Sequence, residues 1–118
     1  MRSSSHLLLR LPWLAIALLG CGGPQADTDP ATHDDFAAIQ QHEATLEEAR
    51  GAAGHADVPC EQGCAAVPRG CAAARRICRI ADATADLDAR ARCRRAEDVC
   101  RATRSEASRR CACPADEP

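Results

Sequence analysis

Apolar and polar positions divide this chain into stretches of different period. From Leu11 to Leu19 aliphatic residues run almost unbroken, interrupted only by Pro12 and Trp13. From Gly22 to Ala31 the residues are small, polar and Pro-containing with no apolar period, the signature of a flexible tether. Phe36, Ile39, Leu46, Ala49 and Ala53 then recur at helical spacing and predict a helix from about Asp34 to Ala53. Thr32 suits its N-cap, Asp34 and Asp35 suit the positive end of its dipole, and Gly51 and Gly54 are stop signals. The stripe needs a surface to dock on, and the segment that follows is expected to supply it.

From Cys60 to Cys113 the period is carried by cysteine and alanine, with spacing C-x3-C-x6-C-x6-C-x14-C-x6-C-x10-C-x-C. Cys71 and Cys78 are seven residues apart, as are Cys93 and Cys100. Seven residues make almost two helical turns, so each pair lies on one stripe about 10 Å apart along the axis. Ala74 and Ala81 line the first stripe; Ala89, Ala96 and Ala107 line the second. Such small residues let two helices approach to the Cα separation of roughly 5.5 to 6 Å that a disulfide prefers. Pairing Cys78 with Cys93 and Cys71 with Cys100 nests both bonds about a centre between Ala85 and Asp86, where Asp82 to Asp86 carry turn and N-cap chemistry.

The outer cysteines extend this ladder, with Cys60 and Cys64 facing Cys111 and Cys113. Two orders are open, Cys60 with Cys113 and Cys64 with Cys111, or the crossed choice. The fold expected is all-α, a small disulfide-stapled antiparallel helical hairpin with an additional N-terminal helix, occupying residues 32–113 ahead of a short tail at 114–118. In its construction principle it resembles twin-cysteine helical hairpins such as the CHCH proteins of mitochondria, although the seven-residue interval departs from their nine.

Cross-links are expected because the core is thin. Between Cys60 and Cys113 the large aliphatic residues are Val67, Ile77, Ile80, Leu87 and Val99. A domain with so little apolar area to bury relies on disulfides, each typically contributing about 2 to 4 kcal/mol.

Eight clustered cysteines leave one over. Cys21 closes the apolar run as Leu18-Leu19-Gly20-Cys21, after a positive stretch containing Arg2 and Arg10. The run falls short of the roughly 18 to 20 residues that cross a bilayer, so it reads as an export signal. The four residues resemble the lipobox of bacterial lipoproteins. That resemblance implies a signal peptide at 1–20, cleavage after Gly20, diacylglycerol on the Cys21 thiol and a lipid anchor, with residues 21–31 as tether. Gly22 in place of Asp resembles lipoproteins sent to the outer membrane of enteric bacteria. The competing expectation is an ordinary secretory signal cut near Gly22 or Gly23, but lipid on Cys21 also accounts for the odd cysteine.

Charge is segregated along the chain. Residues 22–58 hold eight carboxylates against one arginine, a net −7, whereas residues 59–118 hold twelve arginines against nine carboxylates, a net +3. There is no lysine. The halves attract each other, and the basic part is a candidate contact for an anionic surface or an envelope protein. An extracytoplasmic setting argues against nucleic acid.

Candidate chemistry is sparse. Once Trp13 leaves with the signal, Phe36 is the sole aromatic residue, too little for stacking platforms or an aromatic pocket. Clustered cysteines could bind copper or zinc as thiolates, and Cys60-x3-Cys64 resembles the spacing in bacterial copper-storage bundles; export to an oxidising compartment favours disulfides. Cys111 and Cys113 could form a redox pair beside Arg109 and Arg110. His33, His42 and His55 fit capping and solvation better than metal binding. Asp27 and Asp29 lack the rest of an EF-hand loop, and Ser105 and Ser108 have no histidine on their helix. An i, i+4 pair of Arg94 with Asp98 is expected to satisfy part of the basic surface. The function expected is that of a lipid-anchored cell-envelope protein with a structural or interaction role, no catalysis and no cofactor; thiolate metal binding is the alternative and thiol–disulfide exchange a weaker one.

Overall fold

The computed structural model describes residues 29–114. Cys21, the lipobox, most of the tether and the tail beyond Pro114 lie outside them. Three helices follow one another: α1 (His33–Gly54), α2 (Cys60–Ala83) and α3 (Leu87–Arg110).

Each start has a chemical reason. Thr32 and Asp35 form a reciprocal capping box, in which the Thr32 hydroxyl accepts from the Asp35 amide at 3.1 Å and the Asp35 carboxylate accepts from the Thr32 amide at 2.8 Å. Those bonds hold the Asp35 carboxyl below the usual carboxylate range. Asp86 caps α3 by accepting from the amides of Asp88 and Ala89 at 2.8 and 2.9 Å. Between α2 and α3 the buried Thr84 hydroxyl returns to the Ala81 carbonyl, and the Ala85 amide reaches across to the carbonyl of Asp29. The hairpin turn thus falls where the cysteine symmetry puts it.

α2 is the middle of the bundle because it carries two apolar seams offset by one residue. Gly63, Ala66, Gly70, Ala73 and Ile77 are buried at alternating three- and four-residue spacing, and Gly63 and Gly70 lie against α1. Val67, Cys71, Ala74 and Ala81 repeat the pattern one position on, and Cys64, Cys71 and Cys78 of that seam are bonded to α3 or to the segment just after it. On α1 the buried residues are Ile39, Leu46, Ala49 and Ala53, with Phe36 packed at the margin. α3 contributes Ala89, Ala96, Thr103 and Ala107, and the buried Thr103 hydroxyl is satisfied by the Val99 carbonyl one turn back at 2.7 Å. α1 therefore sits in the groove of the hairpin, touching α2 extensively and α3 less so.

The core is dominated by alanine. Ile39, Ile77 and Thr103 are the largest side chains wholly buried, Val67 is nearly so, and Ile80 and Val99 are half-buried. Leu87 does not join the core; it is 77% exposed. Pro68 lies inside α2, on its exposed side, where the loss of one helical N–H is tolerated at the surface.

Four disulfides join the ladder. The inner rungs are Cys71–Cys100 and Cys78–Cys93, with Cα separations of 5.0 and 4.6 Å. The outer pairs are Cys60–Cys111 and Cys64–Cys113, the crossed order rather than Cys60 with Cys113 and Cys64 with Cys111. The reason is the end of α3. At Cys111 the backbone turns extended (φ −134°, ψ 146°), and the Cys113 amide bonds back to the Cys111 carbonyl at 2.9 Å. The chain folds back inward, so Cys113 packs with Ala53, Val67, Cys71 and Ala107 and meets Cys64, which lies one turn inside Cys60. A helix continued through residue 113 would instead have placed Cys111 and Cys113 on divergent sides.

Candidate functional site

Part of the candidate chemistry gathers at the open end of the hairpin, where α2 begins and α3 ends. At that end Arg110 is the organising group. Its guanidinium donates to the carbonyls of Ala53 at 2.9 Å, Val58 at 2.7 Å and Ala52 at 3.3 Å. α1 has no basic residue in its last turn, so its C-terminal carbonyls are served by a cation from α3, more than fifty residues away in sequence. Arg110→Ala is expected to destabilise the bundle by about 2 kcal/mol, since charge-assisted bonds to half-buried carbonyls are lost together. Denaturant unfolding followed by circular dichroism measures it, and an unchanged midpoint would refute the role. Nothing in the local sequence Arg109-Arg110 signals this contact, because its partners are backbone atoms of another helix.

A second arginine does similar work at the other end of α3. Arg92 pairs with Asp88 at 2.9 Å and with Glu43 of α1 at 3.0 Å, and stands 5.7 Å from the centre of the Phe36 ring. Acidic α1 and basic α3 thus make a specific contact. Elsewhere the expected surface pairing shifts. Asp98 accepts from Arg101 rather than from Arg94, and Arg109 binds Glu106 and the Ser105 hydroxyl.

The remaining candidate groups are scattered. His33 opens α1 and His55 follows its last residue, while His42 is half-buried; burial, with Arg76 and Arg79 nearby, holds its imidazole below the usual pKa. Ser108 lines a groove of about 710 Å³ between the start of α2 and the end of α3, together with Glu61, Pro68, Arg104 and the Cys64–Cys113 bond. Cys111 and Cys113 are each bonded to a different partner on α2, so they are not a dithiol couple with each other. Cys78, Cys93 and Glu97 bring ligand-type atoms within 4.8 Å of one another, but the two sulfurs share a disulfide, and thiolate binding there requires its reduction first. Asp29 contributes its backbone carbonyl to the Ala85 amide, and Asp27 and Cys21 lie outside the described residues.

No helix among the described residues is long and apolar enough to cross a membrane. No protein-family model, curated protein or solved structure matches the chain.

Proposed function

We propose that the chain is a lipid-anchored protein of a bacterial-type cell envelope, with a structural or protein-interaction role and no catalysis. The observation that supports it is the use of cysteine. All eight cysteines of the described residues are consumed in disulfides that span the hairpin from end to end. Such a scaffold belongs to an oxidising compartment. The ninth cysteine, Cys21, stands where a lipobox would acylate it. In this reading the outer membrane is the destination, Cys21 is the anchor, and the tether presents the bundle at the membrane surface.

Two or three acyl chains hold a protein stably where one alone is marginal. Cys21→Ser is therefore expected to move the protein from the membrane pellet to the soluble fraction, and to remove the lipid mass from the mature chain. Membrane fractionation with mass spectrometry checks both. A variant that still pellets with membranes and differs in mass from the parent only by the exchange of sulfur for oxygen would refute the assignment.

A further inference from the structure

The hairpin has two sides, and α1 covers one of them. The uncovered side is a groove lined by Arg75, Arg79 and Asp82 of α2 and by Glu97, Arg101 and Arg104 of α3. Cys71–Cys100 and Cys78–Cys93 form part of its lining, so its walls are cross-linked. Helical spacing carries the same stripe of α3 back from Glu97 through Arg94 and Arg90 to Leu87.

Three properties of this face stand together. Arg75, Arg79, Arg90 and Arg94 are exposed and have no side-chain partner among the described residues. Leu87, at the end of the stripe, is the exposed large hydrophobic residue of the described chain. The covering helix α1 has the opposite sign, with Asp34, Glu47 and Glu48 exposed and Arg50 as its only cation. The groove face thus carries an excess of arginine over carboxylate with an apolar tip, and the exposed face of α1 an excess of carboxylate.

We infer that this face docks on an anionic bilayer surface, with the arginines on lipid phosphates, Leu87 at the acyl boundary and α1 turned outward. Arginine forks match phosphate oxygens, and a basic stripe edged by an apolar residue is the pattern of interfacial binding. An acidic protein would satisfy the arginines but leaves Leu87 unexplained. The inference rests on the anchored reading only for proximity: the eleven residue-to-residue steps from Cys21 to Thr32, even fully extended, span no more than about 40 Å. Within that reach an anionic bilayer attracts the groove and repels α1, which fixes the orientation.

The test uses the mature chain carrying Cys21→Ser, so that its outcome is independent of whether cells acylate Cys21. Co-sedimentation is measured with vesicles of phosphatidylcholine alone and with about one-third phosphatidylglycerol. Binding is expected to the anionic vesicles only and to fade as salt rises to roughly 0.3 M. Combining Arg75→Gln, Arg79→Gln and Arg94→Gln should lower partitioning about tenfold or more, and Leu87→Ser several-fold. Combining Arg50→Gln, Arg69→Gln and Arg109→Gln removes the same charge from elsewhere and should change it little. Circular dichroism verifies that each variant is folded. Equal binding to neutral vesicles, no binding to either, or equal loss in the two triple variants overturns the proposal. Concentration-dependent self-association that the groove variant abolishes, without vesicle binding, overturns it in favour of a second copy's acidic α1 as occupant.

Discussion

Reducing all four disulfides of the native protein is expected to abolish most of its helical circular-dichroism signal at neutral pH. The packed surface explains the size of the effect. Of the buried residues only Ile39, Leu46, Val67 and Ile77 are large aliphatics, and the rest of the core is mainly alanine and cysteine. A buried alanine removes little apolar area from water, whereas ordering each residue costs about 1 to 2 kcal/mol of backbone entropy alone. The cross-links offset that cost by restricting the unfolded chain. Their sequence separations run from 15 for Cys78–Cys93 to 51 for Cys60–Cys111. Together they contribute on the order of 10 kcal/mol, comparable with the whole stability of a small domain. Because the two inner bonds lie within the outer loops and the two outer loops interleave, their effects do not add, and complete reduction is the informative experiment. Alkylation without reductant should block none of the eight. Helicity that survives full reduction would mean that the helix seams carry the fold without the ladder.

Gly70→Leu is expected to displace α1 and to cost about 3 kcal/mol, near the upper end of ordinary overpacking. A Cβ at residue 70 would stand 2.8 Å from the Ala49 Cβ and 3.4 Å from the Leu46 Cδ1. The first of these atoms is fixed to the α1 backbone and cannot rotate away. Leucine is a far better helix former than glycine, by nearly 1 kcal/mol, so local propensity pushes the other way. Destabilisation would therefore report the contact between helices and not a weakened α2. Since the disulfides join α2 to α3 and its end and none is bonded to α1, the hairpin should persist while α1 loosens. Hydrogen exchange should show faster exchange in α1 than in α2. Full retention of the thermal midpoint would show that α1 docks elsewhere.

Much of the architecture was legible in the chain because it depends on period. The stripe of Phe36, Ile39, Leu46, Ala49 and Ala53 marks α1 and its buried side, and Thr32 marks its start. Cysteines seven apart on two segments with a common centre mark the hairpin and its turn. The seam of α2 that faces α1 is less legible. Gly63 and Gly70 resemble helix breakers in sequence, and only a partner helix at contact distance shows them to be sites of close approach. Leu87 counts as a core residue by composition and is exposed by its place at the first position of α3.

The candidate surfaces divide in the same way. Segregated charge could be counted from the sequence, but not which arginines are spent within the bundle. Arg92 and Arg110 are held by α1 and the turn after it, while Arg75, Arg79, Arg90 and Arg94 are left facing outward.

By itself the sequence determined the helices, the hairpin centre and the inner rungs, because helical period and cysteine spacing are local quantities repeated along the chain. The tertiary structure alone decided the outer pairing, the cross-chain role of Arg110 and the face left basic. The first turns on the backbone change at Cys111 and where it carries Cys113, and the other two on distances between segments far apart in sequence: the carbonyls that end α1, and the side of the hairpin that α1 covers.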